Sequence, residues 1–264
     1  MTISPDVLIG PRLKVERAYR HIDELRSITI PLHKDLYVVT FVPYTFPPNS
    51  EPTKFGFEYR PTAPIAKIFA LIIGDAVHNL RAALDLLATG IARTHNANAI
   101  IHYPMSRVRE DLVVKPGTNP TPAQKSLKAI EQALSGATSL ILDEIRPTNG
   151  PNDALWSFHA LDNDDKHNLL IPTVNVTSVS NLNCTIGTNR FVGGQIGGDA
   201  TKPIKLIRAD IPFFINDDFY TSVEVKFGPS GPFQSDSVVQ TLTQIAELVT
   251  FTIDKFENLI NNTP

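Results

Sequence analysis

The sequence predicts an α+β fold: a helical bundle built on two central polar-faced helices, packed with an antiparallel β-sheet and an N-terminal β-hairpin. Helical and β-type segments come in blocks, not in the strict βαβ alternation of a parallel α/β domain. In the helical blocks apolar residues recur at spacings of three and four, whereas the stretch from Ile171 to about Phe227 has a β texture with Gly-rich turns. A single domain over 1–264 is expected. It comprises a helical and hairpin part over about 1–170, a β-rich part over about 171–230 and a closing helix over about 235–261.

Leu13, Val15, Ala18, Ile22 and Leu25 recur at helical spacing and predict a first helix over about 10–28. "DLYVVTFVPY" and "TKFGFEYRP" are rich in β-branched and aromatic residues and flank "TFPPNSEP", which predicts a hairpin with a long loop. Pro61 and Pro64 introduce a long helix over about 65–94. "IIHYPM" reads as extended and "KPGTNPTP" as a loop. "PAQKSLKAIEQAL" is helical, Gly136 interrupts it, and "ATSLILDEI" continues as another short helix. After the breaker cluster "RPTNGPND", Asp153 caps the helix "ALWSFHALDNDDKHNLL". The strands "IPTVNVTSVS", "NCTIGTNRFVG", "KPIKLIRADI" and "YTSVEVKFG" follow, with "GGQIGG" as a flexible turn among them. An amphipathic helix capped by Ser235 closes the chain.

Composition narrows the function classes. An apolar fraction of 42% and a charged fraction of 19% are those of a globular protein. The net charge of −3 gives no general attraction to nucleic acid or to an anionic membrane. A single cysteine, Cys184, excludes an intrachain disulfide and a cysteine-based zinc site, and reads as a small packing residue. The N-terminus carries no signal-peptide pattern, and no uncharged apolar run approaches the roughly 20 residues of a membrane span. A cytoplasmic protein without a membrane partner is the expectation.

The long helix raises the functional question. In "IIGDAVHNLRAALDLL", Ile72, Ile73, Ala76, Val77, Leu80, Ala83, Leu84, Leu87 and, beyond it, Ile91 fill one arc. Asp75, His78, Asn79, Arg81 and Asp85 fill the opposite arc, with Gly74 and Ala82 among them. Solvated helix faces favour Lys, Glu and Gln, whereas these are short groups of defined geometry. Gly74 in a helix interior costs about 1 kcal/mol relative to Ala, which points to a close neighbour at that level. A second helix offers that neighbour: His159, Asn163 and His167 form one stripe with Lys166 beside it, and Asp162 adjoins it. Trp156 reads as a core anchor. Facing each other, the two stripes would make one pocket of imidazoles, carboxylates, amides, an Arg and a Lys.

Together "GDAVHNLRAALDLL" and "LWSFHALDNDDKH" resemble the two signature segments of an uncharacterised bacterial family, with the patterns GDxxHNLRxALDxL and LHxLDNxDKH. The resemblance extends loosely over most of the chain. It implies that the two segments act as a unit and implies no particular chemistry.

Three chemistries fit the residues. The first is a buried hydrogen-bond network or small-ligand site, with Asp75, Asn79, Asp85, Asp162, Asn163 and His167 as polar lining. The second is metal-independent phosphoester hydrolysis in the style of HEPN-type ribonucleases. His78 and His159 would be the acid–base pair, and Arg81 or Lys166 would stabilise charge on phosphate. The Arg–His spacing of those enzymes is matched only by "RSITIPLH", Arg26 to His33, which Pro31 interrupts. The third is a metal-dependent enzyme, for which Asp75 with His78 or Asn79 has usable spacing. His159 and His167 lie roughly 12 Å apart along the helix axis, no HExxH occurs, and "DNDDKHN" lacks the Gly and Glu of a calcium loop, so no metal ligand and no cofactor is assigned. The ligand classes are a small molecule or RNA, and a homo-oligomer is compatible. His21, His33, His95 and His102 are expected at the surface.

Overall fold

The computed structural model describes residues 3–44, 54–61, 67–148, 153–167, 173–186, 188–196, 204–209, 213–215, 220–228 and 231–263. Side chains are defined over 3–27, 68–148, 154–165, 183–185, 188–190, 224–228 and 231–263. The fold is α+β. Among the described residues the helices are α1 (Ile9–Leu36), α2 (Lys67–His95), α3 (Pro122–Ala133), the short α4 (Ala137–Ser139), α5 (Asp153–His167) and α6 (Val238–Asn262).

Helices α1, α2 and α6 pack on one another, and α3 and α5 pack on α2. The apolar arc of α2 is the centre of the core: each member from Ile72 to Ile91 is at most 4% exposed. From α1 come Val15, Ala18, Ile22 and Leu25; from α6 come Leu242, Ile245, Val249, Ile253 and Phe256. Leu13, expected on this face, is exposed instead. The backbone of α1 stays helical through Pro31 to Leu36, eight residues past the expected end. Proline removes one helix hydrogen bond but does not by itself stop a helix that packing sustains.

A capping box starts α3: Thr121 Oγ1 accepts from Gln124 N, and Gln124 Oε1 accepts from Thr121 N. Gly136, at φ 88°, reverses the chain into α4, which continues as a π-helical stretch over Leu140–Ile145 in place of an α-helix. The cap of α6 is Ser237, not Ser235, which lies at φ 65° in a left-handed turn.

The strands are β1 (Tyr37–Tyr44), β2 (Lys54–Pro61), β3 (Thr173–Ile186), β4 (Asn189–Ile196), β5 (Ile204–Ala209), β6 (Phe213–Ile215) and β7 (Tyr220–Lys226). They form two antiparallel sheets. In one, β2 lies between β1 and β5. In the other, β3 carries β4 along one edge and β7 and β6 along the other. The β-rich stretch is therefore divided between two sheets. The second expected strand is split, its first residues extending the first expected strand in β3 and the rest entering β4, and Gly193 and Gly194 belong to β4, not to a turn. Cys184 is buried in β3.

Among the described residues no helix is long and apolar enough to cross a membrane.

Candidate binding cleft

Arg81, Asp85, Thr89 and Arg93 are spaced four apart and line up along α2. Each of them grips the chain that returns past the end of the helix. Arg93 Nε donates to Ala99 O at 2.9 Å. Thr89 Oγ1 donates to Ile101 O at 2.8 Å and accepts from Ile101 N at 3.2 Å. Asp85 Oδ1 accepts from Tyr103 N at 2.8 Å, and Arg81 donates to Tyr103 O at 3.3 Å and to Met105 Sδ at 2.9 Å. The register has a simple origin. Four helical residues advance about 6 Å, and two extended residues advance about 6.6 Å, so every turn of the stripe meets every second residue of the segment. Within the stripe Arg81 and Asp85 form an ion pair at 3.0 Å, with Arg81 only 5% exposed.

The other polar residues of α2 face different neighbours. A Cβ on Gly74 would lie 2.6 Å from the Asp165 carboxylate, so the tip of that side chain of α5 rests against α2 at that turn. His78 is exposed, with its Nδ1 at 3.9 Å from Oδ1 of the buried Asp162. Asn79 donates to Asp75 O at 2.7 Å and accepts from Lys14 Nζ of α1 at 3.2 Å, and Asp75 is exposed. On α5, His159 Nε2 and Asn163 Nδ2 are 3.2 Å apart. Trp156 is half-buried with its ring centroid 5.4 Å from that of His159, so it is a partner of the imidazole and not a core anchor. Lys166 and His167 lie in the last turn of α5, and their side chains fall outside the described residues, as does that of His33.

Between these elements lies a cleft of about 240 Å³. It is lined by Arg81 and Asp85 of α2 and by His102, Tyr103 and Met105 of the gripped segment. Pro122, Ala123 and Ser126 from the first turns of α3 and His159 and Asn163 of α5 complete the lining. Four of the sequence-predicted residues thus meet: Arg81, Asp85, His159 and Asn163. His78, Asp75, Asn79 and Asp162 do not line the cleft.

Sequence reasoning missed His102 and Ser126. His102 is exposed as expected, yet its Nδ1 lies 2.9 Å from Asp85 Oδ2. The alternation of Ala99, Ile101, Tyr103 and Met105 opposite the polar stripe was the signal that could have found it. His21, by contrast, is buried at 6% exposure within α1, 3.6 Å from Glu24, and not at the surface.

The electrostatics favour an oxygen-rich guest. Asp85 balances the charge of Arg81, but one guanidinium nitrogen of Arg81 meets a thioether, a weak acceptor. Ser126 is 6% exposed, and its hydroxyl makes no hydrogen bond among the described residues. The Tyr103 hydroxyl, buried against Phe256, has none either. Burial pushes its pKa well above the usual phenol value, with the Arg81 charge opposing, so it stays protonated. Among the described residues no group of three or more His, Cys, Asp or Glu side chains is placed to hold a metal ion. Comparison with protein-family models, with curated proteins and with solved structures finds no match to the chain.

Proposed function

We propose that the polar-faced helices α2 and α5 form the heart of a bundle whose cleft binds a small carboxylate- or phosphate-bearing molecule. The observation that carries this reading is the presence of Arg81 and Ser126 together in the lining of the cleft. Both are more than nine-tenths buried, and both reach the cleft with hydrogen-bonding capacity that no described oxygen takes up. A carboxylate or phosphate oxygen would give the Ser126 hydroxyl a partner and offer the Arg81 nitrogen a stronger acceptor than the thioether. At about 240 Å³ the cleft is below the roughly 300–1,000 Å³ typical of drug-sized ligands, so a small metabolite fits the volume. His159 and Asn163 would orient it from α5.

Thermal melting and calorimetry against a panel of small carboxylates and phosphates test the reading. A ligand at 100 times its dissociation constant should stabilise the fold by about 2.7 kcal/mol. Ser126→Ala and Asn163→Ala should each weaken binding about tenfold, a loss of about 1.4 kcal/mol. Met105→Leu, which removes the competing sulfur, should leave binding intact. A panel without a single stabilising member would refute the proposal.

Phosphoester hydrolysis has one observation in its favour. The exposed imidazole of His78 has the buried carboxylate of Asp162 3.9 Å away, close enough to attract its charge though beyond hydrogen-bond reach. Cleavage of single-stranded RNA in the presence of EDTA, abolished by His78→Ala, would establish it.

A further inference from the structure

The segment gripped by α2 has a second edge. In an extended chain the N–H and C=O of one residue point to the same side, and those of the next residue to the other. Ile101 and Tyr103 turn both groups toward α2, and Ala99 turns its carbonyl there. Ile100 and His102 therefore turn theirs away, and neither makes a backbone hydrogen bond among the described residues. Ile100 is also 81% exposed, the most exposed large apolar side chain among those described. Exposed strand edges are ordinarily blunted by charge or proline. Here Pro104 ends the edge on one side, and the turn closed by Ala99 N on Asn96 O ends it on the other. Between them no fixed charge repels an identical strand.

We infer that this edge pairs with the same edge of a second copy of the chain, antiparallel about a two-fold axis at Ile101. The register follows from the groups available. Ile100 opposite the partner's His102, and His102 opposite the partner's Ile100, satisfies the outward N–H and C=O of both residues on each chain. A shift by two residues one way sets Ile100 against the partner's Pro104, which has no N–H to give. A shift the other way sets His102 against the partner's Asn98, inside a turn. A longer peptide would find only two residues to pair with, whereas a second copy matches the edge in length and covers its own exposed Ile100 in the same step. His102 keeps its contact with Asp85, so the interface borders the cleft without needing a ligand in it.

Sedimentation equilibrium of the full chain from about 1 µM to 1 mM tests the pairing. A concentration-dependent dimer is expected. Ile100→Lys and Ile100→Pro should each raise its dissociation constant at least about tenfold, whereas Ile100→Val should change it less than about threefold. Circular dichroism melting of each variant confirms that the fold is kept. The register has its own test. Residues opposite each other at a non-hydrogen-bonded position have Cα atoms about 4.5 Å apart, within disulfide reach. Ile101→Cys should therefore give a covalent dimer on mild oxidation, with the buried Cys184 not competing. A chain that stays monomeric to about 1 mM, a dimer indifferent to Ile100→Pro, or a dimer that Ile101→Cys fails to cross-link would each overturn the inference.

Discussion

The two halves of α2 use their polar residues in opposite ways. From Arg81 to Arg93 every member of the stripe bonds backbone groups of residues 99–105. From Asp75 to Asn79 the polar groups stay near the surface, and His78 comes no closer than 3.9 Å to its carboxylate neighbour. The difference lies in what each half meets. An extended segment brings N–H and C=O groups that have no partner of their own, and burial obliges the helix side chains to supply one. Helix α5 brings a backbone already satisfied, so only side-chain contacts remain to be made. A polar helix face is thus not in itself a site. The cleft arises where the two regimes meet, at Arg81 and Asp85.

Breaking the gripped half should have the largest effect. Asp85→Ala leaves Tyr103 N without its acceptor and the buried Arg81 without its counter-charge, so a loss of about 3–5 kcal/mol in urea unfolding is expected. A loss below about 1 kcal/mol would show that the stripe does not hold the segment.

The α5 side should respond to shape more than to charge. Gly74→Ala sets a methyl group against the tip of the Asp165 side chain, which must swing aside, so the gain of about 1 kcal/mol in helix propensity should be largely cancelled. Adding Asp165→Ala should recover most of that gain. If Gly74→Ala stabilises the protein by the full helix-propensity gain of about 1 kcal/mol, the Asp165 carboxylate does not rest against Gly74.

Glu131 on α3 repeats the role of Asp85 on a smaller scale, because it accepts from Gly136 N at 3.0 Å and from Thr138 N at 2.6 Å. Burial raises its pKa, but these hydrogen bonds outweigh burial and hold it below the usual glutamate value. A carboxyl depressed in the folded state contributes stability that is present above the unfolded value of about 4.3 and is lost as pH falls through the lower folded value. Glu131→Gln should flatten the acid limb of a stability–pH curve measured below about pH 5. The smallest effect belongs to His78→Ala, expected within about 0.5 kcal/mol because the ring is exposed and holds no hydrogen bond.

Much of this was legible in the residues. The arc from Ile72 to Ile91 named the buried face of α2, since helical periodicity reports which side meets the core. Gly74 announced a close neighbour, which proved to be Asp165. The segment opposite Arg81 and Asp85 was legible as extended but not as their partner, because no local pattern says which helix supplies its hydrogen bonds. The same holds for β5, which leaves the β-rich stretch to pair with β2, a register between segments some 150 residues apart that no local pattern encodes.

By itself, the sequence determined the α+β class, the long apolar arc of α2 and the presence of polar groups too short and too well defined for an ordinary solvated face. Tertiary structure alone decided which of those groups became struts and which border a cleft. Side-chain periodicity is a property of one element, whereas the partner of a hydrogen bond belongs to whichever backbone the fold brings alongside.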